Sequence, residues 1–128
     1  MLAFKDKKPR IKNMLIDGLK IIEDESYNNE TMYMFARGII DRLTIRDVDV
    51  VRSECDKNSG TLFKVCGDAE IGKITLDRAD IENIKDVIDV TDGRVDKVIL
   101  NNVLVNSVEN TVKGENCKTI IGKETKIN

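Results

Sequence analysis

The sequence predicts a single α+β domain over residues 1 to 128, with a helical N-terminal half and strands at the C-terminal end. Three observations predict it: apolar residues at helical spacing in the first half, two apolar-polar stretches around a Gly-Asp pair, and a β-branched run toward the end. A chain of this length can bury roughly two thirds of its unfolded surface, so one core needs no disulfide or metal. We expect residues 1 to 8 to be a flexible basic arm.

Three helices are predicted in the N-terminal half. Pro9 suits the first turn of a helix over residues 9 to 24, because its missing N–H would be unpaired there. Asn29 is the expected N-cap of a second helix, and Thr44 starts a capping-box pattern for a third, shorter helix over residues 45 to 55. The apolar stripe of the second helix is formed by Met32, Phe35, Ala36, Ile39, Ile40 and Leu43.

The second half predicts a hairpin, one more helix and the terminal strands. Residues 61 to 75 read as a hairpin with Gly67 and Asp68 at its turn. Asp77 can cap a helix whose apolar face is Ile81, Ile84 and Ile88. From Val95 onward the chain is rich in β-branched residues with Asn and Ser between them, which predicts strands.

Composition excludes several classes of function. The chain has no histidine, so the usual base of a Ser or Cys nucleophile is missing, and we expect a protein that is not an enzyme. Three cysteines, Cys55, Cys66 and Cys117, without histidine or a CxxC motif predict neither a zinc site nor a disulfide framework. The calcium-loop pattern fails at the stretch "DVIDVTDGRVD", and no phosphate-binding glycine motif occurs. No catalytic residue, cofactor or metal site is predicted.

The expected compartment is the cytoplasm. No apolar run approaches the ~20 residues that span a bilayer, and no secretory signal is visible at the N-terminus. The excess of Ile, Lys and Asn over Ala is typical of an AT-rich genome, such as that of a low-GC bacterium or a phage.

The C-terminal stretch "TVKGENCKTIIGKETKIN" contains an eight-residue echo, residues 111 to 118 and 119 to 126. Its V-x-G pattern resembles the repeats of trimeric β-helical spikes in phage tails and, more loosely, bactofilin β-helix windings. A terminal hairpin with its turn at residues 114 to 116 is the preferred interpretation, and a β-helical turn is the alternative. In the hairpin Val112, Ile120 and Ile127 face the core or a partner.

These terminal strands lead to the predicted function. Exposed strands rich in Val and Ile must be paired, covered or charged, and self-association is one way to pair them. We therefore expect a non-enzymatic protein that binds other proteins, most simply a homo-oligomer that uses its C-terminal strands.

A DNA-binding regulator of the winged helix-turn-helix type is the alternative, because three helices followed by a hairpin is the order of that fold. The DNA contacts would come from the basic arm and from the third helix. They are Lys7, Lys8, Arg10, Arg46 and Arg52. Against this hypothesis, residues 21 to 96 carry 18 acidic groups, which would repel a polyanion unless they face away from it.

Overall fold

The computed structural model describes residues 10–23, 32–52, 59–115 and 117–128 of the chain. These residues form strands and turns, and no helix occurs among them, so the α+β prediction is wrong. The strands are β1 (Arg10–Ile22), β2 (Met32–Ala36), β3 (Ile39–Val51), β4 (Thr61–Val65), β5 (Glu70–Asp89), β6 (Arg94–Lys113), β7 (Lys118–Ile121) and β8 (Lys126–Ile127).

The strands make one sheet that curls back on itself, and all of the described pairings are parallel. β1 pairs with β3, β3 with β5 and β5 with β6, while β7 and β8 both pair with β6. β2 pairs with β4, which pairs with the second half of β5. Since the chain repeatedly returns to lie in parallel beside its previous pass, it winds as a coil of stacked turns.

The turns of this coil differ in length. Arg10 is in register with Ile39, Ile39 with Glu70, and Glu70 with Arg94, so the chain advances by unequal steps from one turn to the next. The step at the C-terminal end, from Lys97 to its partner Lys118, is shorter than any of these. No constant period therefore exists for the sequence to display, although the stacking itself is regular.

A repeated apolar octad builds the centre of each turn. Apolar residues stand at its first, third, sixth and eighth positions, as in "MLIDGLKI", "LTIRDVDV", "ITLDRADI" and "VILNNVLV", which begin at residues 14, 43, 74 and 98. Each octad is two short alternating stretches joined by a corner. The corner inserts one residue into the alternation. Side chains at odd octad positions therefore point inward before the corner, and side chains at even positions point inward after it.

The corner is marked by a residue in the left-handed conformation at the fifth octad position. Gly18 has φ +81°, and Asp47, Arg78 and Asn102 have φ values of 54° to 55°. Gly, Asn and Asp tolerate this region best, so three of the four octads place a suited residue where the chain must bend. Arg78 is the exception.

The core is made of columns in which octad residues of successive turns stack on one another. Buried aliphatic side chains fill the columns in β3, β5 and β6, whereas the octad of β1 is only partly buried at the end of the stack. One column consists of Leu43, Ile74 and Val98, and the column beyond the corner of Val50, Ile81 and Val105, all at most 1% exposed. Like residues therefore pack on like residues at the strand spacing of about 4.8 Å.

The four predicted helices are strands for a common reason. Within the residues that the structure describes, the first predicted helix falls in β1, the second across β2 and β3, and the third in β3, and the helix after Asp77 is the continuation of β5. Pro9, Asn29 and residues 53 to 55 lie outside the described residues. A corner between alternating stretches gives apolar residues at i, i+2, i+5 and i+7. The steps of three and seven residues in this pattern match an α-helical face. Of the described residues that suggested helix starts, Thr44 lies within β3 and Asp77 lies beside the corner at Arg78.

Both predicted hairpins are also wrong. Residues 61 to 75 contain β4 and the start of β5, but Thr61 pairs in parallel with Asp86 rather than across the turn at Gly67. At the C-terminus Val98 pairs with Thr119, so β7 lies beside the preceding turn and the β-helical alternative is correct. The prediction of strands after Val95 agrees with β6 to β8, whereas the eight-residue echo is not the structural repeat.

We predict that Ile74→Ala lowers the free energy of unfolding by about 2 to 5 kcal/mol, because Ile74 is fully buried and its neighbours belong to two further turns. Urea unfolding followed by circular dichroism measures the change. The matched control is Thr75→Ala on the outer side of the same strand, with an expected effect within about 0.5 kcal/mol. Equal losses for both variants would contradict the assignment of inner and outer sides.

Candidate functional site at the ends of the coiled sheet

The C-terminal end of the sheet is an incomplete turn. On the edge of β6 that faces away from β5, β7 pairs with residues 97 to 100 and β8 pairs with residues 104 and 105. No described strand pairs with the rest of that edge. Ile121 and Ile127 remain 59% and 47% exposed at this end. The outer edges of β7 and β8 have no strand partner among the described residues, so their backbone groups and apolar side chains are available together.

The three residues predicted to contact another copy lie at this same end. Ile120 is half-buried in β7, Ile127 is exposed in β8, and Val112 is partly buried on the part of β6 beyond β8. Sequence reasoning therefore selected one end of the molecule, although the hairpin it assumed does not form. Whether these side chains contact a partner stays a prediction.

The N-terminal end is the second exposed edge. β1 pairs only with β3 among the described strands, and Leu15 and Ile22 on it are 54% and 65% exposed. Beside it lies an apolar cavity of about 360 Å³ between β1 and β2, whose lining includes Met14, Met34 and Phe63. The core columns are thus accessible from this end also.

The residues predicted to contact DNA are not brought together. Lys7 and Lys8 lie outside the described residues. Arg10 makes two hydrogen bonds of 3.2 Å to the Asp41 carboxylate on the surface, and Arg46 donates to Asp17 at 3.1 Å. Arg52 has no exposed surface. Because residues 45 to 51 and 61 to 75 form parallel strands instead of a recognition helix and a wing, the winged-helix fold is excluded.

Arg52 instead joins three passes of the chain where β3 ends. Its Nη1 donates to the Ser59 and Asn83 carbonyl oxygens, and its Nη2 donates to the Ser59 hydroxyl at 3.1 Å. Nε lies 3.6 Å from a Glu23 carboxylate oxygen, and the guanidinium stands 5.9 Å from the centre of the Tyr33 ring. This buried cation stabilises the geometry with which the chain leaves one turn and enters the next.

Ion pairs between successive turns line the first corner. Arg78 binds the Asp47 carboxylate through two hydrogen bonds of 2.6 and 2.9 Å, one turn away. The bond to Asp47 raises the pKa of Arg78, and the same bond keeps the pKa of Asp47 below its ordinary value. The Asp17 carboxylate raises the pKa of Arg46 in the same way. Opposite charges in these positions favour the observed register.

Lys64 lies between Asp89 and Asp92, at 3.1 and 3.0 Å from their carboxylates. Burial alone would raise the pKa of Asp89, but hydrogen bonds from the Thr91 hydroxyl and amide and from Lys64 lower it below its ordinary value. Two carboxylates of the stretch "DVIDVTDGRVD" therefore share one lysine ammonium.

No metal or thiol site is formed by the described residues. Among them, no group of three or more His, Cys, Asp or Glu side chains could hold a metal ion. Cys66 and Cys117 are free thiols, burial raises the pKa of Cys117, and Cys55 lies outside the described residues. The described part of the chain also contains no helix that could cross a membrane.

Comparison of the chain with protein-family models, with curated proteins and with solved structures finds no match.

Sequence reasoning missed the N-terminal edge and the buried role of Arg52. The signal for the edge was the octad at residue 14, the first of four whose apolar positions coincide when aligned, as they do in the stacked turns. No local signal marks Arg52, because its partner Asn83 is 31 residues away and meets it only when two turns stack.

We predict that Arg52→Met lowers the free energy of unfolding by about 3 to 5 kcal/mol, because it leaves buried polar groups of neighbouring turns without their partner. Chemical denaturation measures the change. The control is Arg46→Met, which removes an exposed ion pair and should have little effect. A loss for Arg52→Met no larger than that of the control would show that the cluster does not hold the turns together.

We also predict that Asp89 makes the fold sensitive to acid. Because its pKa is lower in the folded protein than the unfolded value of about 3.9, its stabilising contribution is present above that pH and is lost as the pH falls through the folded pKa. Asp89→Asn should therefore lose less Tm between pH 5 and pH 3 than the wild type. Asp92→Asn, which keeps the buried carboxylate, is the control and should retain the wild-type acid sensitivity. Parallel Tm curves for the wild type and Asp89→Asn would contradict the assignment.

Proposed function

We propose that this protein is a non-enzymatic structural or protein-binding component that associates with copies of itself through its C-terminal strands. The observation that carries the proposal is the incomplete last turn, where the unpaired edges of β7 and β8 coincide with exposed Ile121 and Ile127. An exposed strand edge with apolar side chains is a template for another strand. The expected compartment is the cytoplasm, where free thiols such as Cys66 and Cys117 stay reduced.

The partner edge is β1 of the next copy. Following the register from turn to turn places Leu15 in the same column as Ile120, Ile16 in the column of Ile121, and Ile21 in the column of Ile127. Contact between the C-terminal end of one copy and the N-terminal end of another would continue these columns without changing the parallel register.

In this contact, residues of β7 and β8 in one copy would lie beside residues of β1 in the next copy. Only one of these pairs brings two like charges together. Asn13 falls in the column of Lys118, which avoids a like-charge contact, whereas Lys20 falls in the column of Lys126. A head-to-tail contact uses two different surfaces, and because it continues the columns along the axis of the coil, it produces open chains of variable length.

The test uses two variants that block opposite ends. Ile121→Lys/Ile127→Lys places charges on the C-terminal edge, and Leu15→Lys/Ile22→Lys places them on β1. We expect the wild type to show concentration-dependent association in sedimentation velocity between about 5 and 200 μM, and each variant alone to be a monomer. An equimolar mixture should form a one-to-one heterodimer, because each variant retains the end that the other has lost.

The matched control is Thr75→Lys/Asp80→Lys, which changes two outward positions on β5 in the middle of the stack and should associate like the wild type. A wild-type monomer at 200 μM would refute self-association. If the β1 variant still dimerised while the C-terminal variant did not, the contact would join two C-terminal ends and the head-to-tail arrangement would be wrong. Circular dichroism of each variant verifies that the fold is retained.

A further inference from the structure

A row of cationic side chains runs along the coil on one outer face. Arg42 is in register with Lys73, Lys73 with Lys97, and Lys97 with Lys118, so four successive turns each place a cation in the same outer column. At the parallel strand spacing of about 4.8 Å the row spans about 14 Å. We call it the basic row.

The basic row has no acidic partners among the described residues. None of its four side chains makes an ion pair there, and the two carboxylates that adjoin it along the chain have partners of their own. Asp41 binds Arg10, and Asp96 lies 3.9 Å from Arg94. Like charges directly opposite one another in a sheet are destabilising by a few tenths of a kcal/mol or more for each pair. The basic row therefore lowers the stability of the fold. At the corner of the same sheet, opposite charges on neighbouring turns avoid this repulsion.

Part of the acidic charge of the chain lies on another face. Beyond the corner, the next outer face carries Asp49 and Asp80 in register with each other, and Glu82 nearby. On the face of the basic row, a depression of about 350 Å³ is lined by Arg42, Arg46 and Lys73. The carboxylates that lie closer to the basic row have polar partners: Asp17 binds Arg46, and Asp77 accepts a hydrogen bond from Asn102.

The shape of the row favours a linear anion over a planar one. The charges lie in a single column, and Asp17 and Asp77 occupy the outer column four residues further along the strands. A membrane surface would face these carboxylates as well as the cations. A chain of phosphates along the coil would meet the four cations and, beside them, Asp41 and Asp96, whose carboxylates already have Arg10 and Arg94 as partners. The column between the two carries Leu15, Thr44, Thr75, Ile99 and Ile120, and none of these is aromatic.

We propose that the basic row binds the phosphate backbone of a duplex nucleic acid without sequence preference. A face without aromatic side chains gives no platform on which unpaired bases could stack, so a duplex fits it better than a single strand. Each cation can neutralise one phosphate of the backbone, so the four cations of the row set an upper limit of about four phosphate contacts. Three of the four cations lie on β3, β5 and β6, away from the unpaired strand edges, whereas Lys118 lies on β7 at the C-terminal edge.

The experiment measures fluorescence anisotropy of a labelled random 20-base-pair duplex against the full chain at several salt concentrations. Neutralising about four phosphates gives a slope of log K against log salt of roughly −3.6, which is a roughly 150-fold loss of affinity between 50 and 200 mM salt. Lys73→Gln/Lys97→Gln removes half of the row. Its slope should fall to about −1.8, and its Tm should be equal to or higher than that of the wild type, because like-charge contacts have been removed.

The matched control is Lys20→Gln/Arg37→Gln, which removes two exposed positive charges from other parts of the surface and should leave the slope unchanged. Equal slopes for the two double variants would show that net charge, and not the row, governs binding. No duplex binding at about 20 mM salt would refute the proposal. Binding of the sulfated polysaccharide heparin without binding of the duplex would assign the row to an acidic polysaccharide and would also refute it.

Discussion

Parallel pairing of β5 with β6 is the interaction on which the rest of the structure depends. Each of these strands has 20 residues, and they stay in register from Glu70 and Arg94 at one end to Asp89 and Lys113 at the other, through two corners. β3 and β4 pair with β5, and β7 and β8 pair with β6. Because parallel stacking in register places each residue beside its counterpart in the next turn, a favourable column is repeated and so is an unfavourable one.

In apolar columns this stacking stabilises the core. In columns of charged residues it would place like charges side by side, and the sheet compensates for this in different ways. At the first corner Asp47 and Arg78 alternate in sign and bind each other. Arg52 is buried and shares its hydrogen bonds between turns. Neither arrangement occurs along the row from Arg42 to Lys118, where four cations repeat without described acidic partners. That contrast within one sheet is the physical basis for assigning the row to an external anion.

A coiled sheet of this kind has no lateral edges, since the hydrogen bonds run between turns along the axis of the coil. Among the described strands, the unpaired edges therefore lie at the two ends, β1 on one side and β7 with β8 on the other. The interior columns are partly exposed at these two ends, at Met14 on β1 and at Ile121 on β7. Self-association at the ends and anion binding along the side would share Lys118 of β7, whereas Arg42, Lys73 and Lys97 belong to the side alone.

The sequence by itself determined the strands after Val95 and the absence of histidine. A contact at the C-terminal end stays a prediction. The sequence also contains the octads, but they recur without a constant period because the turns are unequal in length. In addition, the residue inserted at each corner gives apolar residues a spacing that resembles that of a helix. Only the tertiary structure decided that β1, β2 and β3 are strands, that Arg52 is buried, and that the four cations of the basic row share one column. The physical reason is that each of these facts depends on which turn lies beside which, and the partners in parallel pairing are separated by a whole turn of the chain.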